Sequence, residues 1–492
     1  MHLARIEAEG NTQSRPHRRT IQSLSPTLRS APTVAVAAAA VASSLWILSI
    51  LGCGNNYRPV VSAINPVGPA AQTQKFAVAI SSTGTPSAPT PGLVTFVDFS
   101  GDTVLITANV GVDPYYLILN TSGTQGYTLN SDHTLTTFDV DTALLTSNIN
   151  QTTLLPGANP ASVFPEGTNT YVADPGQNVV SQFSGLLALS LQQQLQIPAG
   201  FSPIYTVGVA NGPRSYAIAQ RTGGGNGEVF TIETASNTFD STPIPVGAVP
   251  VYGVMTPDAK RAFIMNEGDG TVSVINAQTN LLDIPNGTIH DPKAVAPIWA
   301  DFVPARSEMV VANAGDGTTP GSVSIVSIPL CSATALPTNP NCDPANPVDA
   351  VGFGTVLANV TVGVHPVMVG VLRDTTNSRA YVVNGGDASL PCSSDGSAVA
   401  GVSTGCTVSV IDLSTNTVSA TIPLPNSPLN AGAANLNGHG NYIAVTNGTP
   451  TGKVYVTSPE STMMTVIRTD ADALDTTVPL QGLGVSVRVT TP

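Results

Sequence analysis

Tyr381-Val-Val-Asn384-Gly-Gly-Asp387, then Val408-Ser-Val-Ile-Asp412, then Ala420-Thr-Ile-Pro423 is a phrase this chain writes repeatedly. Phe263-Ile-Met-Asn266-Glu-Gly-Asp269 leads into Val272-Ser-Val-Ile-Asn276 in the same way. Met309-Val-Val-Ala-Asn313-Ala-Gly-Asp316 leads into Val323-Ser-Ile-Val326. Each copy sets an apolar strand, a turn, and a strand whose apolar residues alternate with Ser or Thr at period two. The first strand recurs at Phe76, Tyr127, Tyr171, Tyr216, Phe263, Met309, Tyr381 and Tyr455. The intervals are 51, 44, 45, 47, 46, 72 and 74 residues. The regular ones match four short antiparallel strands with their turns.

The second strand repeats as Val94-Thr-Phe-Val-Asp98, Leu135-Thr-Thr-Phe-Asp139, Val229-Phe-Thr-Ile-Glu233 and Met464-Thr-Val-Ile467. A third signature, Gly-x-x-Pro, runs from Gly111 to Pro114, Gly157 to Pro160, Gly200 to Pro203, Gly247 to Pro250 and Gly363 to Pro366. Gly is expected to supply an unusual backbone angle there and Pro to fix the next one. Four-stranded units without a complete core of their own must stack face to face. The expected fold is therefore all-β, a β-propeller over residues 73–492. Eight copies predict eight blades, with seven as the alternative if a terminal copy is peripheral. A linear solenoid has shorter coils and fits less well.

These phrases resemble the YVTN-type β-propeller repeat, through Ala380-Tyr-Val-Val-Asn384, Thr407-Val-Ser-Val-Ile-Asp-Leu-Ser-Thr-Asn416, Thr421-Ile-Pro423 and Lys453-Val-Tyr-Val-Thr457. The resemblance is strongest in the fifth to eighth copies. It implies an exported or cell-surface prokaryotic protein. The wider propeller group includes lactonases and quinoprotein-like enzymes, so fold alone does not assign an activity.

Composition agrees with short strands and tight turns: 10% charged residues, 45 Gly and 40 Pro. The formal charge is −13, and residues 1–52 carry five Arg against two Glu, so the remainder is more acidic still. Such a surface repels phosphate backbones, and no nucleic-acid partner is expected.

Arg15, Arg18, Arg19 and Arg29 precede an apolar run from Thr33 to Leu51, which ends Ile50-Leu51-Gly52-Cys53. A basic segment, an apolar segment and a small residue before the cut describe a secretory signal over 1–52. The Cys after Gly52 resembles the lipobox of bacterial lipoproteins, which implies lipidation of Cys53 and a cell-envelope location. An uncleaved membrane anchor is the competing reading. Residues 53–72, with Pro59, Pro66 and Pro69, read as a tether. The other four cysteines fall in two insertions, near 328–355 and 387–406. In an exported chain they predict the local disulfides Cys331–Cys342 and Cys392–Cys406, expected to decorate one face of the ring. A zinc site is disfavoured because no Cys-x-x-Cys or adjacent His accompanies them.

Candidate chemistry is sparse. The Asn-x-Gly-Asp turns at 266–269, 313–316 and 384–387 could be imagined around a cation, but they read as self-bonded turns. The acidic column of Asp98, Asp139, Glu233 and Asp412, with Asn276, reads as strand-ending turn residues rather than a metal ring. His290 and His365 are the weak catalytic candidates for a propeller lactonase, with Arg306, Arg373 and Arg379 as polarising partners. No nucleophile elbow or phosphate loop exists. No cofactor is expected: haem attachment lacks its motif, and Trp299 is the one indole beyond the signal, too few for a quinoprotein. The sequence thus predicts a lipid-anchored binding or display scaffold for a protein, glycan or small molecule. The alternative is a lactonase or other hydrolase at the channel mouth.

Overall fold

The computed structural model describes residues 75–490 apart from 86, 141–147, 211, 241, 284–286, 330–341, 344–345, 351, 374–377, 391, 393–405, 425–437 and 449–450, with backbone alone for 342–350. The signal, Cys53, the tether and Cys331 lie outside the described residues, and so does the side chain of Cys342. No α-helix occurs among the described residues.

Eight antiparallel sheets of four strands stand around one axis, so the chain is an eight-bladed β-propeller. In the fourth and fifth blades the outermost strand is broken into two short pieces. The strands nearest the axis are Pro114–Leu119, Ser162–Glu166, Phe201–Val207, Pro250–Met255, Pro297–Val303, Pro366–Leu372, Tyr442–Thr446 and Leu483–Val489. The strand that opens each repeat in the sequence is therefore the second from the axis. Counting from it leaves the first blade without an inner strand. The far end of the chain supplies that strand: Leu483–Val489 pairs antiparallel with Phe76–Ser82, Ala77 opposite Val489 and Ile80 opposite Ser486. Sharing one sheet between the two ends of the body closes the ring without an open edge.

The core is divided among eight apolar clusters, and every cluster spans one boundary between neighbouring blades. Period-two alternation produces this, because each sheet buries both faces against its neighbours. Tyr127, Tyr171, Tyr216, Tyr381 and Tyr455, the aromatics that head the repeat, are fully buried in these seams.

Gly-x-x-Pro carries the chain from the outer strand of one blade to the inner strand of the next. In three copies the residue held left-handed is the one before Pro, Asp113 (φ 47°), Val249 (φ 50°) and His365 (φ 51°), as Ala296 (φ 55°) is before Pro297; in the other two it is the Gly itself, Gly157 (φ 86°) and Gly200 (φ 94°). Gly is required at three of these turns for close approach. A Cβ on Gly111, Gly247 or Gly363 would lie within 2.6 Å of the Asn130, Asn266 or Asn384 side chain of the next blade. Each Asn donates Nδ2 to two hydroxyls of the adjoining strand: Thr134 and Thr136, Thr271 and Ser273, Thr407 and Ser409. Gly111 and Gly247 donate their N–H groups to Thr136 and Ser273 of the same sets. Two repeat signatures far apart in sequence thus form one joint.

The two cysteine insertions do not share a face. Strand direction sends the 386–405 connection, between the second and third strands of its blade, out on the Gly-x-x-Pro side. The 328–355 connection joins a third strand to a fourth and leaves on the opposite side. Cys392 and Cys406 are buried and joined in a disulfide.

Candidate ligand funnel in the central channel

Pro at the start of an inner strand is followed two residues later by a side chain directed to the axis. Pro114 leads to Tyr116, Pro203 to Tyr205, Pro250 to Tyr252, Pro297 to Trp299 and Pro366 to Met368. At each of these steps the pairing register slips by one, so two residues of the inner strand face one of its neighbour. A β-bulge re-aims a side chain that regular alternation would place elsewhere. Proline leaves a ladder position without its N–H and favours the bulge.

The result is an aromatic ring around the channel. Tyr252 and Trp299 stack with centroids 3.9 Å apart and planes at 17°. Tyr205 lies 5.0 Å from Tyr252, and Tyr442 meets Trp299 edge-on at 5.9 Å. Arg488, on the strand that closes the ring, holds its guanidinium carbon 4.6 Å from the Tyr442 ring centre and 5.9 Å from that of Trp299. Its Nε donates to the Leu117 carbonyl at 3.1 Å. No carboxylate among the described residues pairs with it. Burial pushes the phenols of Tyr116, Tyr205, Tyr252 and Tyr442 above their ordinary range, so all four remain protonated hydrogen-bond donors.

Above this cluster opens a funnel of about 390 Å³, walled by Met368, Ile443 and Val445 and floored by Tyr205, Trp299 and Arg488. Asp301 and Arg373 stand at its mouth, paired at 3.3 Å. Asp301 is further occupied by the Val371 and Phe302 N–H groups at 2.9 and 2.8 Å. The funnel opens on the side from which the 328–355 connection leaves. A larger depression of about 580 Å³ lies on the other face beside Gly223, Gly224 and Gly225. Its cation, Arg221, lies over Phe201 and donates to the Asn226 carbonyl, so it is already engaged.

The histidines singled out from sequence are not brought together. His290 is exposed on the outermost strand of the fifth blade, opposite Thr271. His365 sits in the left-handed turn leading into the seventh. Arg306 pairs with Glu308, Arg379 with Asp472, and only Arg373 reaches the channel. The Asn-x-Gly-Asp carboxylates are consumed locally: Asp269 accepts from Thr271 and Ala248, Asp316 from Thr318 and Thr319, Asp387 from Ser389. The backbone N–H groups of Thr319 and Thr318 pull Asp316 down to about 2. Asp98 and Asp412 bond the turns that follow their strands, as expected. Sequence reading missed Arg488 and the Pro-x-aromatic series. The series was legible two residues after each turn proline; Arg488 follows no such phrase.

An eight-bladed propeller with an aromatic, cation-bearing axial funnel is the class of molecule defined by these observations. No family model and no curated protein matches the chain. Among solved structures, dihydro-heme d1 dehydrogenase NirN in complex with DHE aligns with a TM-score of 0.55 at 12% identity, over 84% of this chain and 74% of that one. Apo AztD from Citrobacter koseri aligns at 0.51 and 12%, over 85% and 98%. A candidate 6-phosphogluconolactonase from Bacteroides fragilis aligns at 0.47 and 14%, over 86% and 99%. At these identities the likeness is one of fold.

Proposed function

We propose that this chain is an extracytoplasmic, lipid-anchored β-propeller that binds a small ligand in its axial funnel. The observation that carries this reading is the convergence of four tyrosines, Trp299 and Arg488 on the channel from six different blades. Concave sites lined by aromatics with a few aimed polar groups are what small-molecule binding requires. The lipobox-like Ile50-Leu51-Gly52-Cys53 and the Cys392–Cys406 disulfide support an oxidising, envelope location. At the mouth, Asp301 is engaged by Arg373 and by the Val371 and Phe302 N–H groups.

Labelled palmitate should mark the native chain, and Cys53→Ala should abolish the label; label that persists would remove the lipid anchor. Protein lacking residues 1–53 should hydrolyse lactones no faster than buffer. Turnover that disappears in His290→Ala or His365→Ala would replace the binding reading with the hydrolase one.

A further inference from the structure

We propose that the axial funnel takes a small aromatic carboxylate, held through its anionic group by Arg488. This assignment rests on the binding reading above and adds the chemical class of the ligand.

Three observations converge on it. Arg488 is half-buried in an aromatic channel, and no described carboxylate compensates its charge. A cation so placed loses hydration without gaining an ion pair from a described carboxylate, and a bound anion would supply that pair. The guanidinium is also oriented beforehand. Its Nε is tied to the Leu117 carbonyl, and its guanidinium carbon lies 4.6 Å from the Tyr442 ring centre. A fixed planar fork matches a carboxylate better than a mobile ammonium does.

The surrounding groups fit the rest of such a ligand. Tyr252 and Trp299, stacked at 3.9 Å, line the funnel together with the apolar Met368, Ile443 and Val445. A volume of about 390 Å³ suits one or two rings. The other cation of the funnel, Arg373, is spent on Asp301.

The test uses isosteric probes on the full chain, read by calorimetry. Benzoate and indole-3-acetate are compared with benzamide, indole-3-acetamide and tryptamine. The carboxylates should bind at least tenfold more tightly than their amides, and tryptamine should not bind. Arg488→Gln should erase the tenfold preference of acid over amide, and Arg488→Lys should restore part of it. Trp299→Ala should weaken carboxylate and amide alike. If Arg488→Gln fails to fold, Arg488→Lys and Trp299→Ala still decide the question. Amides that bind as tightly as acids, through Trp299, overturn the anion assignment and leave the funnel as a binding site. No heat from any probe overturns both.

Discussion

Tyr381 in the seventh blade donates its hydroxyl to Asp472 Oδ1 in the eighth at 2.6 Å, and Asp472 holds a left-handed backbone with φ 47°. The relationship recurs around the ring. Tyr171 bonds Asn237, Tyr216 bonds Asn280 at 3.4 Å, and Tyr455 bonds Asp102 at 3.4 Å. Each acceptor sits in the turn before the next blade's outer strand, and each has positive φ. The aromatic that heads the repeat thus latches one blade to the next. At the sixth blade Met309 takes the tyrosine's place, and the Asn416 Oδ1 it would have met is buried without a partner.

Tyr381→Phe should lower stability by about 1.5–3 kcal/mol, the range for a buried hydrogen bond to a charged group. Met309→Tyr should act in the opposite direction, adding about 1 kcal/mol by satisfying Asn416. Urea midpoints of the two variants check the pair. A lower midpoint for Met309→Tyr would show that the seam cannot admit the larger ring.

Gly363→Ala tests the joint between repeat signatures. Its Cβ would meet the Asn384 side chain at 2.6 Å, so Asn384 must leave Thr407 or Ser409. The expected loss is about 1–3 kcal/mol by thermal unfolding. Gly200→Ala, where no atom lies within 4 Å but φ is 94°, should cost only the backbone strain, about 1 kcal/mol.

Arg261 and Asp283 form an ion pair whose side chains are 0% and 5% exposed. Removing one partner leaves a buried charge, so Asp283→Ala should cost about 3–5 kcal/mol. Replacing both, as Arg261→Met with Asp283→Leu, should recover most of that loss. A double variant as unstable as the single one would refute the charge argument.

Glu166 sets a pH dependence. Burial between the third and fourth blades pushes its carboxyl up to about 7, partly relieved by the Ser215 hydroxyl. The folded chain holds this proton where the unfolded chain has released it. Its contribution is therefore fully favourable below the ordinary carboxyl range and is lost as the pH rises through about 7, by at most about 3 kcal/mol. Glu166→Gln should melt higher than the parent at pH 8 and flatten the melting profile between pH 4.5 and 7. An unchanged profile would place the titration elsewhere.

Much of the ring was legible in the sequence because each blade obeys the same local rules. Tyr381, Val408 and Gly363 report a buried aromatic, an alternating strand and a tight joint wherever their counterparts occur. Eight copies in sequence are eight blades in space. The faces were not legible. Assigning the two insertions to one side failed because the side depends on which strands a loop joins, and the inner strand had been counted last. The channel was legible only in part. Tyr116, Tyr205, Tyr252 and Trp299 follow a proline at constant spacing, yet nothing local says that a bulge turns them to the axis.

The sequence by itself determined the strands, the turns and the repeated four-stranded unit, since period-two burial and Gly-x-x-Pro joints act over a few residues; the choice of eight blades over seven came from the structure. Only the tertiary structure decided that Leu483–Val489 completes the first blade, and this closure carries Arg488 to the aromatic ring. The physical reason is distance along the chain. Arg488 meets Leu117 across a separation of 371 residues, and no local pattern encodes a contact that exists only once the ring has closed.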